Sequence, residues 1–221
     1  MIQCHPFRRS AVAFLSRASA LIVLLALGPL GCAQAQERPP VTPEEASDLP
    51  PAGFGTLRQD DVSLRLRTTT VLIQVVPLDE RVIRLLSLDT YSSLHRLVES
   101  KADELKEAAS RLGISAPSLF LVTFFGLERE ARFNPDDLTV TSQNRLFRPA
   151  QTFPLSPLWS AQQLGQRETA TAIYLFEDGI RTLDPFTIEY VGRQNDNWEQ
   201  VLRTLERERA SVVARAAAAR P

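Results

Sequence analysis

Histidine, cysteine and methionine are almost missing from this chain, with two, two and one copies in 221 residues. Each shortage excludes a chemistry. Cys4 and Cys32 both fall in the first 35 residues, so the rest of the chain has no disulfide, no thiolate nucleophile and no cysteine metal site. His5 lies there too, which leaves His95 as the one ring through which a Ser-His-Asp arrangement or a histidine metal site would have to run. His95 flanks a helical apolar stripe beside Leu94, the place of a boundary residue. A glycine-rich phosphate loop, a G-x-S-x-G elbow and an H-E-x-x-H helix are also lacking. No catalytic, cofactor-binding or metal-ligating residue is therefore assigned, and no cofactor is expected. The apolar run Ala18 to Leu27, broken only by Ser19, is well short of the ~20 residues that a spanning helix needs.

What is present at the start has a different meaning. Arg8, Arg9 and Arg17 form a basic leader without an acid, the apolar run follows, Gly28 and Pro29 break it, and "GCAQAQ" supplies small residues. This is the pattern of a secretory signal peptide over residues 1–35, with Ala33 and Ala35 in the peptidase pockets and cleavage before Gln36. "PLGC", ending at Cys32, offers an alternative, because a lipobox cysteine is acylated and becomes the new N-terminus. Gly31 fits that motif, whereas Pro29 stands where a branched apolar residue belongs. The expected location is periplasmic or secreted, with membrane attachment only through a lipid on Cys32. Without the leader's three arginines, 22 of the 25 basic residues remain against 26 acidic ones, a net charge of −4. That balance disfavours nucleic acid as a partner.

Residues 36–57 hold Pro39, Pro40, Pro43, Pro50 and Pro51 among polar side chains and have little to bury, which reads as a disordered, extended tether. The body of the fold is expected over 58–194. Val62, Leu64 and Leu66 alternate with Ser63, Arg65 and Arg67, the period of a half-buried strand, and "VLIQVV" (Val71 to Val76) is a second strand or its continuation. A helical insertion is expected over 79–113. Asp79 caps a short helix carrying Val82, Ile83, Leu85 and Leu86, and Asp89 caps a longer one. The stripe of the longer helix is Tyr91, Leu94, Val98, Ala102, Leu105, Ala109 and Leu112, with Gly113 as its stop. Leu119 to Phe125 suits a central strand covered on both faces. Leu138–Thr141 and Leu146–Phe147 make a hairpin around "SQNR", and "TATAIYLFE" and Phe186 to Tyr190 are further strands. A C-terminal helix begins near Asn195, carries Trp198, Val201, Leu202 and Leu205, and frays in an Ala/Arg-rich tail over the rest of 195–221. The fold class is thus mainly β with helical additions, an antiparallel sandwich of about seven strands.

The succession "FNPDDLTV" (Phe133 to Val140), "RLFRP" (Arg145 to Pro149), "RETATAIYLFE" (Arg167 to Glu177) and "FTIEYVG" (Phe186 to Gly192) resembles the immunoglobulin-like β-sandwich domains of exported bacterial proteins and lipoproteins of unknown function. Phe133, Pro135, Asp137, Leu138, Phe147, Pro149 and Glu168–Thr169 occupy the positions that carry the likeness. The resemblance spans Ser118 to Gly192 and implies a fold without a catalytic residue. The inserted and terminal helices depart from it.

Three functions compete. The leading expectation is a non-enzymatic binding or structural module of the cell envelope, with a protein or peptide as partner. Its contact residues would be Trp159, with Phe153 and Leu158, in a proline-broken loop where Trp159 either plugs the end of the sandwich or stands out as an anchor. The helical insertion is a second candidate surface, and an open sheet edge, where strand addition could recruit a peptide, is a third. The alternatives are a carrier of a small molecule or lipid with a pocket between helix and sheet, and a hydrolase using Asp136, Asp137 or Glu168. Adjacent carboxylates on extended chain point apart, and Asn134–Pro135 before them favours a turn, with calcium ligation as the competing role.

Overall fold

A computed structural model describes residues 49–219. The leader, the cleavage site at Ala35–Gln36, Cys32 and residues 36–48 of the tether lie outside them. The strands form two main antiparallel sheets. The first has the order β1 (Leu64–Arg67), β2 (Val71–Pro77), β3 (Ser118–Gly126), β9 (Thr169–Phe176), β7 (Pro149–Pro154). The second has the order β11 (Arg193–Asn195), β10 (Phe186–Tyr190), β5 (Leu138–Ser142), β6 (Arg145–Phe147). A two-residue ribbon pairs β4 (Ala131–Arg132) with β8 (Gln163–Leu164). If β2 is taken as the first strand of an immunoglobulin domain, these orders are A-B-E-D and G-F-C-C′, the arrangement of that sandwich. About seven strands were expected. The strands beyond those expected are β4, β8 and β11, pieces of two or three residues, and the six-residue edge strand β7.

Register explains the core. Ile73, Phe124 and Ala170 are directly paired, as are Val75, Val122 and Ala172, so these side chains share one face. Phe120 meets Phe186 edge-on at 5.8 Å, and Phe124 meets Tyr190 at 5.6 Å, which places that face against the second sheet. The period of two in "FTIEY" and "LTVTS" sends Phe186, Ile188, Tyr190, Leu138 and Val140 inward. The other face of β3 is also closed at Leu121, whose neighbours Val76 and Ile173 are buried. Arg111, at the end of the insertion, donates to Gln151 on β7 at 3.2 Å, which sets that end over this outer face.

The insertion joins β2 to β3. It holds α1 (Glu80–Ile83), α2 (Leu88–Ser100) and α3 (Ala102–Leu112). Asp79 caps α1 as expected, accepting from the Arg81 amide at 2.8 Å. Asp89 does not cap α2. Ser87 is the boundary residue and Asp89 sits in the first turn, where its charge still suits the helix dipole. The expected long helix is two, divided at Lys101 (φ −111°, ψ 4°), and α3 stops at left-handed Gly113.

Two further expectations are corrected. Residues 49–57 are part of the presumed tether, yet they are docked. Gly55 and Leu57 bridge Ser87 and Leu86, the Leu57 amide donates to the Leu85 carbonyl, and Phe54 and Leu57 join the core. Here Phe54 and Leu57 supply the apolar area that the prolines lack. A Cβ on Gly55 would lie 2.3 Å from the Leu85 carbonyl, so the approach requires glycine. At the other end, α4 (Trp198–Ala218) starts three residues later than expected and does not fray. Leu205, Glu208, Val212 and Ala216 remain buried down one side at helical spacing.

Candidate functional site

Three loops converge at one end of the sandwich around a cleft of about 720 Å³. One wall is Leu78, Asp79 and Arg81, another is Ala116 to Leu119, and the third is Gly179 to Asp184. Topology puts them together, because the ends of β2 and β9 and the start of β3 lie side by side in the first sheet. Asp178 ties two walls, accepting from the Ser115 hydroxyl at 2.8 Å and the Ala116 amide at 2.7 Å. Some burial opposes its charge, but these bonds hold the carboxyl below its ordinary range.

The floor of the cleft is built on Asp79. Its carboxylate accepts from Arg81 Nε at 3.0 Å, from Arg81 Nη2 at 2.7 Å and from the hydroxyl of buried Thr182. Burial pushes the Asp79 pKa up, and the bonds from Arg81 and Thr182 overcome it, so the group stays below the usual carboxylate range. The Thr182 carbonyl accepts from Trp198 Nε1 at 2.8 Å, which couples the floor to the first residue of α4. Arg181 lies 3.7 Å from Asp184 in an exposed pair. Ser118 Oγ donates to the Ile180 carbonyl at 3.2 Å rather than to a base. The cleft therefore offers apolar walls (Leu78, Leu119, Ile180, Leu183) and mutually neutralised charges.

The residues singled out from sequence lie elsewhere. Trp159 is 5% exposed and plugs the opposite end, against Phe124, Phe133 and Tyr174 at 5.4–5.8 Å. Phe153 is 6% exposed and Leu158 packs against the core, so these three do not form an exposed anchor. The proline-broken loop curls Trp159 inward because its indole packs against three aromatic rings there. Asp136 and Asp137 form a turn with Asn134, which accepts from the Asp136 amide and donates to Asp137 Oδ1 at 3.0 Å. Glu168 accepts from the Gly165 amide at 2.7 Å. The Asp137 and Glu168 carboxylates each satisfy their own loop. His95 sits between two carboxylates, with Nδ1 2.7 Å from Glu80 and Nε2 3.2 Å from Glu99, and stacks on Tyr91. Glu80 also accepts from Arg84 at 2.5 Å. This knot fastens α1 to α2. The pairs Glu80–Arg84 and His95–Glu99 are legible as i,i+4 spacings, whereas the contact between helices is not.

Nor do the edges of the sheets invite strand addition. Prolines stand at both ends of β7, which carries a register shift, and β6 passes through Arg148 straight into β7. On the other side Asn195 of β11 donates to the Arg65 carbonyl of β1 at 2.8 Å. Such devices blunt an edge. Among the described residues no group of three or more His, Cys, Asp or Glu side chains is placed to hold a metal ion, and no helix is long and apolar enough to cross a membrane. Comparison with known proteins adds nothing to this geometry: no family model, no curated protein and no solved structure matches the chain.

Proposed function

We propose that the chain is an exported, non-catalytic binding module of the cell envelope, and that the cleft around Asp79 is its contact site. The observation that carries this reading is the state of the cleft's charges. Asp79 is spent on Arg81 and Thr182, Asp184 faces Arg181, and Ser118 donates to a carbonyl. Acid–base or nucleophilic chemistry needs two groups poised on one reacting atom, whereas a recognition site needs shape, apolar wall and fixed polar groups. Export rests on the leader sequence. A second reading is favoured by the size of the cleft, since about 720 Å³ is the volume of a small-molecule site. The ligand would then sit at the end of the sandwich rather than between helix and sheet.

A photocrosslinking amino acid at Arg181, with Gln200 on α4 as control, tests the proposal in living cells. An envelope protein or peptide captured from Arg181 alone supports it. Labelling no stronger than that from Gln200 refutes the site, and a purified chain that by intact mass still carries residues 1–35 refutes export.

A further inference from the structure

We infer that the helical insertion is fastened by a pH-sensitive clasp, closed when His95 carries a proton and loosened when it does not. The clasp works whether or not the cleft holds a ligand. His95 on α2 has a carboxylate at each ring nitrogen. Glu80 Oε1, on α1, lies 2.7 Å from Nδ1, and Glu99 Oε1, one turn along α2, lies 3.2 Å from Nε2. An ionised carboxylate only accepts, and a neutral imidazole has a single N–H. The neutral ring therefore satisfies one of the two acids and turns a lone pair on the other. The imidazolium donates to both, so the arrangement is complete in the protonated state alone.

The groups around the ring favour that proton. From α1, Arg84 Nε donates to the second oxygen of Glu80 at 2.5 Å, while Arg81 is turned to Asp79. From α2, Tyr91 stacks on the ring with centroids 5.3 Å apart and donates to Glu80 at 3.4 Å. Asp89 and Arg96, which line a shallow groove with His95, are one charge of each sign. At the division between α2 and α3, Lys101 is held by Glu104 at 2.8 Å. Residues 49–57 reach the knot where Arg84 donates to the Pro50 carbonyl at 3.5 Å, and they carry no charge. Two carboxylates thus meet one guanidinium at the ring, and the proton on His95 balances them. The His95 side chain is 36% exposed, so protons reach it from solvent.

The clasp bears on more than two helices. α1 is a single turn, and the residues on either side of Glu80 are Asp79 and Arg81, which build the floor of the cleft. Loosening Glu80 therefore slackens the support of that floor. Histidine is the side chain that ordinarily changes charge between about pH 5 and 8, and His95 is the one histidine in residues 49–219. The second bond is present with the proton on and is lost as pH rises, so the clasp weakens toward alkaline pH.

Urea denaturation of the purified chain from about pH 5.5 to about pH 8 tests the clasp. Relative to His95→Gln, the wild type's folded-to-unfolded ratio should fall roughly three- to tenfold over that range, because the lost bond is charge-assisted but partly exposed. Glu99→Gln should at least about halve this response, since an amide also donates to the neutral ring. Glu99 is 63% exposed, so that change spares the fold. In nuclear magnetic resonance the Arg81 Nε–H signal should move with the His95 titration in the wild type and stand still in His95→Gln. A relative stability that is flat or rises with pH overturns the inference, as does a response undiminished in Glu99→Gln. Should His95→Gln fail to fold, equal pH slopes for the wild type and Glu99→Gln overturn it. An Arg81 signal indifferent to the titration overturns the reach of the clasp to the cleft.

Discussion

Replacing Asp79 with alanine removes the acceptor on which four donors converge: the Arg81 amide, Arg81 Nε and Nη2, and the Thr182 hydroxyl. The losses are separable. Losing a helix cap costs about 1 kcal/mol. The Thr182 hydroxyl, in a residue only 3% exposed, is left unpaired, for about 1–3 kcal/mol. The Arg81 side chain is 42% exposed and regains water, so its ion pair adds little. The sum is about 2–4 kcal/mol, which lowers the melting temperature of a domain this size by roughly 5–15 °C. Urea denaturation followed by far-ultraviolet circular dichroism measures it. Asp79→Asn, which keeps an acceptor for Thr182, should lose less, and adding Thr182→Val to Asp79→Ala should cost less than the separate changes predict, by about 1 kcal/mol. The pH dependence has a definite sign. Asp79 has a folded-state pKa below its ordinary 3.8, so the stability it contributes is complete above the unfolded value and lost as pH falls through the folded one. The alanine variant should therefore have a flatter acid limb. A loss under about 0.5 kcal/mol, within the range of an ordinary surface change, would show that the floor of the cleft is not built on this carboxylate.

Four other outcomes follow from described contacts. Gly55→Ala forces a methyl into the Leu85 carbonyl, should cost about 1–3 kcal/mol and should speed tryptic cleavage after Arg58 several-fold as residues 49–57 lift away. Glu208, 9% exposed, accepts from the Thr56 amide at 2.8 Å, the Thr56 hydroxyl at 2.9 Å and Arg215. Glu208→Ala should cost about 2–4 kcal/mol by chemical denaturation, with Glu208→Gln retaining part of it. Trp159→Ala empties a space among Phe124, Phe133 and Tyr174 and should cost about 3–5 kcal/mol. Val191→Asn should instead raise stability by about 1 kcal/mol in thermal unfolding, because it removes a β-branched residue from positive φ.

The sandwich was legible wherever one face of a strand is dry and the other wet. "LRLR", "LTVTS" and "FTIEY" announce themselves by alternation, and "LFLVTFF" by its freedom from it. β7 was missed because prolines bound it, and only its place at an edge makes that tolerable. The ribbon β4–β8 is too short to carry a period, and the division at Lys101 has no glycine or proline to mark it. The cleft was not legible at all. Asp79, Ser118 and Thr182 are far apart in sequence, and each taken alone reads as a cap, a strand start or a loop residue. Trp159 was legible in part. A tryptophan in a proline-broken loop reads either as a plug or as a contact anchor, and the path of the loop, which turns the indole into the core, decides for the plug.

The chain's two tryptophans stand at opposite poles of the sandwich. Trp159 closes one end, and Trp198 hangs from Thr182 beneath the other. Each indole is shielded, so either would shift to the red when its own pole opens. With one replaced by phenylalanine at a time, the natural emission of the protein becomes a pair of local gauges, able to report whether the two ends come apart together or in turn.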